Sequence, residues 1–163
     1  RVFLTGSLDR VSAPMKIDIS TGDAITPRAR EYKYHLMLED RDIEIWTYNL
    51  ETMLAEKMQT ILARGILNTR MRDFYDIYVL QKELGETIDP SILRIAFEAT
   101  CSKRGHIFEY EESLSIMGRI SADKQLEQNW NQYTKKYHYA SEIGYADVLE
   151  ATNKLLKTIL DDR

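Results

Sequence analysis

The sequence predicts an α+β fold: a small, mostly antiparallel sheet over residues 1–48, followed by a helical bundle over residues 49–163. Three observations predict it. Short runs with β-like alternation fill the first 48 residues. Apolar residues then recur at the 3.6-residue period of packed helices, and the two regimes meet at a polar capping residue, Asn49. At 163 residues the chain has room for one domain, or for one domain and part of another.

The strand-like runs are Arg1–Thr5, Met15–Ser20, Glu31–Leu38 and Ile43–Tyr48. Side chains alternate from Tyr32 to Leu38, and a polar EDRD connection follows, so Glu31–Tyr48 reads as an antiparallel hairpin. Thr21-Gly22-Asp23 and Thr26-Pro27 supply turn chemistry between strands. RVFLTG enters as a strand with no preceding turn or cap, which leads us to expect an N-terminally truncated chain. Asn49 caps a helix over about 50–64, with Glu51 in its first turn, and Gly65 stops it. Asn68 or Thr69 starts the next helix, which reaches about Glu83 and ends at Gly85. Asp89-Pro90 opens a third, running to Arg104 before Gly105. Glu111–Arg119, Ala122–Tyr137 and Tyr145–Leu160 complete the bundle.

Composition excludes more than it identifies. The chain is 44% hydrophobic and 29% charged, ordinary for a soluble globular protein. A net charge of −4 argues against a broad basic surface for nucleic acid, but leaves room for a local basic cleft. Cys101 stands alone, so it forms no internal disulfide and no zinc site, and reads as a small buried residue. No apolar run reaches membrane-spanning length and no signal peptide is visible, so we expect a cytoplasmic protein that does not contact a membrane.

The chemistry is concentrated in Tyr48–Tyr78, where charges interrupt a buried helical pattern. Leu50, Met53, Leu54, Met58, Ile61 and Leu62 define one packed face, yet the same helix carries Glu51, Glu56, Lys57 and Arg64. The next helix presents Arg70, Arg72, Asp73 and Asp76 beside Phe74, Tyr75, Ile77 and Tyr78. Charges so close to a core are costly unless they are paired or used. Lys57 and Arg64 are seven residues apart, hence on one helix face and about 10 Å apart along the axis. Such a pair can grip phosphates, or be neutralised by Glu56 and other acids. Asp73 and Asp76 lie at i and i+3, and Arg72 and Asp76 at i and i+4. Spacing alone supports a catalytic carboxylate pair and a structural ion-pair lattice equally.

Elsewhere, MKIDIS places Asp18 in the middle of a strand, opposite in facing to Ile17 and Ile19. It is either a solvent-facing carboxylate on an edge strand or a metal ligand. His35, His106 and His138 share no spacing that would hold a metal. Lys103-Arg104 and Lys135-Lys136 read as solvated helix ends, and Trp130, Tyr133, Tyr137 and Tyr139 as core.

MKIDISTGDAITP followed by YNLETMLAEKMQTILARGILNTRMRDFYDIY closely resembles the AbiEii/AbiGii toxin family of the DNA polymerase β-like nucleotidyltransferase superfamily, found in abortive-infection toxin–antitoxin systems. The resemblance extends over nearly the whole chain and includes W-x-x-Y-x-K-K-Y at Trp130–Tyr137. It implies that the sheet is part of a nucleotidyltransferase fold, and that a nucleotidyl group passes from an NTP to a hydroxyl acceptor such as tRNA, with Mg²⁺. By the same resemblance, Asp18 is the late-strand metal carboxylate, Lys57 the helix lysine for nucleotide phosphates with Arg64 beside it, and Asp73 and Asp76 the D-x-x-D pair. Glu51, Glu56, Arg70 and Arg72 would support that block. A cognate antitoxin of transcriptional-repressor type is the implied partner.

One motif departs from the family. The superfamily opens with a Gly-Ser or Gly-Gly turn and an Asp-x-Asp about ten residues later. Gly6-Ser7 with Asp18 imitates that spacing, but position 16 is lysine and position 20 is serine, and LDRVSAP is too short and Pro-broken for the intervening helix. The sequence therefore leads us to expect two of three metal carboxylates to be missing and the chain to be inactive by itself. The alternative is a non-catalytic module that binds RNA or the antitoxin.

Overall fold

In the computed structural model, which describes residues 1–19 and 21–161, each half of the first 48 residues closes on its own neighbour. Strands β1 (Val2–Leu8) and β2 (Val11–Ile17) pair antiparallel from Val2 opposite Ile17 to Leu8 opposite Val11. Asp9 and Arg10 form the connection. A two-residue hairpin loop needs positive φ to follow the twist of its strands, and Asp9 supplies it at 56°, a conformation its short polar side chain tolerates. Strands β3 (Arg30–His35) and β4 (Asp42–Thr47) pair from Arg30 opposite Thr47 to His35 opposite Asp42.

The α+β class holds, but the single small sheet is two separate two-stranded ribbons. Short hairpin closures cost little loop entropy. Residues 18–29, between the ribbons, form no strand where described, and Pro27 has no N–H to give to a ladder. The second expected strand is also shifted. It starts at Val11 and ends at Ile17, so Asp18 and Ile19 lie beyond it, and Ser20 falls outside the described residues. Gly6 and Ser7 sit inside β1, opposite Ala13 and Ser12.

Six α-helices follow: α1 (Leu50–Arg64), α2 (Met71–Leu84), α3 (Pro90–Lys103), α4 (Tyr110–Ala122), α5 (Lys124–Lys136) and α6 (Tyr145–Leu160). Asn49 Oδ1 accepts the Thr52 N–H and caps α1, while Gly65 at φ 51°, ψ −132° ends it in a region that side chains avoid. α2 begins at Met71, later than Asn68 or Thr69, because a 3₁₀ turn over Gly65–Leu67 intervenes. Asn68 Oδ1 then accepts the Arg70 N–H at 2.8 Å and sets the entry to the helix. Asp89 accepts from Ser91 and Ile92 at the start of α3, with Pro90 in its first turn. Ala122 ends α4, and the Asp123 cap separates it from α5.

The core cluster is drawn from residues 54–160, with Leu54, Met58, Ile61, Phe74, Ile77, Leu93 and Trp130 almost wholly buried. α1 runs through its centre, so it is buried on more than the one face its periodicity suggests. Leu50 and Met53 are only partly buried, whereas Glu51, Thr52 and Gln59 are buried. A buried polar group needs a partner, and each of these has one: Asn49 and Asp89 for Glu51, Thr26 for Thr52, and Arg104 for Gln59. Trp130 is core, its Nε1–H donating to the Ile143 carbonyl, while Tyr139 at the edge of the same aromatic cluster is exposed. Among the described residues, no helix is long and apolar enough to cross a membrane.

Candidate functional site

Helices α1 and α2 bring Lys57, Asp73 and Asp76 together. Lys57 Nζ donates to Asp76 Oδ2 at 2.5 Å and lies 3.7 Å from Asp73 Oδ1. The i, i+3 spacing puts both carboxylates on one side of α2, where a single ammonium reaches them. Arg70 Nε stands 3.0 Å from Asp73 Oδ2, and Arg72 Nε 3.8 Å from Asp76 Oδ2. The cluster is graded in depth. Asp73 is 5% exposed, Lys57 and Asp76 are 22%, and Arg70 and Arg72 are 56% and 76%. Burial pushes the Asp73 carboxyl above its ordinary range; Arg70 and Lys57 oppose that rise and Asp76 adds to it. Arg70 is close enough to Asp73 Oδ2 for an ion pair but is not aligned to donate, so that buried oxygen has no hydrogen bond.

Beside this cluster lies a cleft of about 180 Å³, lined by Lys57, Arg70, Asp73, Glu56, Thr60 and Arg104. Arg104, just past α3, donates through Nη1 to Gln59 Oε1 and to Thr60 Oγ1, and its Nη2 is 4.0 Å from Glu56 Oε1. Burial raises the Glu56 carboxyl, which Arg104 counters most strongly. Arg104 is thus a wall of the cleft and not a solvated helix end. The signal was present in the sequence: Leu93, Phe97 and Cys101 make a buried stripe of α3 in steps of four, and Arg104 continues it by a step of three.

Other expected site residues are placed elsewhere. Arg64 does not join Lys57 in this cleft; it lines a neighbouring groove with Arg104 and Arg119. Glu51 lies near the start of α1 and fastens two helix ends, accepting from Asn49 Nδ2 at 2.7 Å and from the Asp89 N–H at 3.1 Å. Asp18 is not in mid-strand. It sits just past β2, 61% exposed, paired with Arg1 and Lys16 of its own ribbon. Cys101 is buried and its thiol is pushed up to about 11, which keeps it protonated and unreactive at neutral pH.

Among the described residues these carboxylates are engaged by cations of the chain itself. No group of three or more His, Cys, Asp or Glu side chains among the described residues is arranged to hold a metal ion. Asp18 faces two cations, and Asp73 and Asp76 are taken up by Lys57 and the arginines. What the arrangement offers is anion binding: several charge-assisted donors around one small cleft, held by a buried acid.

A family model described as the nucleotidyl transferase AbiEii toxin of a type IV TA system matches residues 1–153. No curated protein and no solved structure matches the chain. The family match takes in both ribbons, the α1–α2 cluster and most of α6. The chain therefore belongs to the AbiEii nucleotidyl transferase toxin family of type IV toxin–antitoxin systems, a membership that implies a cognate antitoxin.

Proposed function

We propose that this protein acts, in the cytoplasm, as a toxin of the type that transfers a nucleotidyl group from an NTP to an acceptor such as tRNA, and that its α1–α2 cleft binds the triphosphate. The observation that carries the reading is the convergence of Lys57, Arg70 and Arg104 on one cleft, with the Thr60 hydroxyl among them. At about 180 Å³ the cleft is smaller than the 300–1,000 Å³ typical of sites that enclose a whole ligand. It therefore takes the phosphates and leaves base and ribose outside. An ammonium has three donors; Asp76 and Asp73 occupy two directions and leave the third for a phosphate oxygen. Asp73 and Asp76 act as positioning residues, since their carboxylates hold Lys57 and, as anions, would repel the phosphates themselves.

In nucleotidyl transfer, the acceptor hydroxyl bonds to the α-phosphorus, loses its proton, and pyrophosphate leaves with its electron pair. Cations around the β- and γ-phosphates stabilise the charge that accumulates there. Mg²⁺ would supply further charge neutralisation when bound, but no carboxylate described in this chain is assigned to it. Nucleotide binding without transfer is accordingly the activity proposed for this chain alone.

The test compares Lys57→Gln with Lys57→Gln/Asp76→Asn, using a fluorescent NTP. Losing one charge-assisted contact to phosphate is worth about 1.5–3 kcal/mol, or about 10- to 150-fold in Kd. Both variants should show that loss, whereas fold stability should fall in the single variant and recover in the double. Wild-type nucleotide affinity in the double variant would leave the cluster a purely structural lattice.

A further inference from the structure

On the far side of Arg104 lies a second groove, of about 380 Å³, within the size range of ligand sites. Arg64, Arg104 and Arg119 line it, over a floor that includes the buried Leu62, Phe108 and Ile116. Arg64 stands in the last turn of α1 and Arg119 in that of α4. Neither has a hydrogen-bond or ion-pair partner among the described residues. A last-turn arginine complements its own helix dipole, which accounts for each one singly. It does not account for three guanidinium groups around one apolar floor. Glu112 is the acid of the lining, and His106 Nε2 lies 3.4 Å from it, with the imidazole packed on Phe108 at 4.1 Å between centroids.

We propose that this groove binds a phosphate-bearing nucleotide unit, its phosphate on Arg64 and Arg119 and its base against the Leu62–Phe108–Ile116 floor. Planar guanidinium groups match phosphate oxygens in pairs, and an apolar floor accepts the face of any base. The site meets the triphosphate cleft only at Arg104, and it stands without the reading given to that cleft. A net charge of −4 is no obstacle, because the field that matters is the local one.

The full chain is titrated with a fluorescent single-stranded RNA of about eight nucleotides, within the span of known single-strand sites, and separately with AMP. Arg64→Ala/Arg119→Ala should weaken binding by tenfold or more while the melting temperature falls by only the few degrees that two lost helix-dipole complements cost, since neither side chain has a hydrogen-bond or ion-pair partner to lose. Lys124→Ala, which removes an exposed cation that lines neither cavity, should leave this binding unaltered, which separates the groove from general surface charge. For a strand, the slope of log affinity against log salt should shrink by about 0.7 in the double variant, the share of the one phosphate that the two arginines hold. For a free nucleotide, AMP affinity should fall while the RNA shows no binding to lose. Equal affinity of wild type and double variant for both probes, or no binding of either by wild type, would overturn the proposal.

Discussion

Replacing Glu51 by alanine should destabilise the fold strongly and leave nucleotide binding intact. Glu51 is 7% exposed, and its two oxygens hold the Asn49 amide at 2.7 Å and the Asp89 N–H at 3.1 Å. Asn49 and Asp89 are the N-caps of α1 and α3, so one carboxylate ties both helix starts together. Alanine leaves the buried Asn49 amide unsatisfied, at about 1–3 kcal/mol, and the Asp89 N–H as well, at less because water reaches that exposed residue. We expect a net loss of about 2 kcal/mol, and hence about 4–8 °C in Tm for a chain of this size. Glu51→Gln keeps an acceptor for Asp89 but presents its amide to the Asn49 amide, and should cost about half as much. Thermal melting by circular dichroism reads both, alongside titration with the fluorescent NTP. A Tm loss no larger than that of an exposed surface substitution, or lost nucleotide affinity at unchanged Tm, would refute the assignment and return Glu51 to the site.

Two further predictions follow from the ion-pair cluster. In a double-mutant cycle of Lys57→Gln and Asp76→Asn, urea unfolding should give a coupling energy of about 1–2 kcal/mol, since the pair is only partly solvent-exposed; a value under about 0.5 kcal/mol would mean that the contact is not energetically formed. The pH dependence follows from Asp73, whose carboxyl is raised above its ordinary value of 3.8 by burial first of all. The native state then binds more protons than the unfolded state between 3.8 and the raised value, so the Asp73 contribution to stability falls as pH rises through that interval. Asp73→Asn mimics the protonated form, so the Tm of wild type minus that of the variant should decline with rising pH; an increase would contradict the sign of the shift.

Much of the fold was legible because local rules act alone at its key points. Asn49, Gly65 and Asp89-Pro90 mark helix ends by capping, left-handed φ and fixed proline geometry, none of which depends on distant contacts. The ribbons were less legible, since pairing between strands two and three is a long-range choice that alternation does not encode. Asp18 shows the consequence: extending its strand to Ser20 placed a carboxylate in mid-sheet, when the ladder ends at Ile17 and the side chain pairs with Arg1 and Lys16.

The charges of α1 separate once helix geometry is combined with tertiary position. At about 100° per residue, Glu51 points about 120° away from Lys57 around the axis, so it meets the cap of α3 and not the cleft. Lys57 and Arg64 do share a line, as seven-residue spacing requires, yet about 10 Å of helix lies between them. Arg104 fills that interval through Gln59 and Thr60, dividing one cationic line into two cavities. An arginine forty residues further along the chain could not be placed there by periodicity within α1. A substitution at Arg104 should consequently affect both cavities, whereas Lys57 and Arg64 should each affect one.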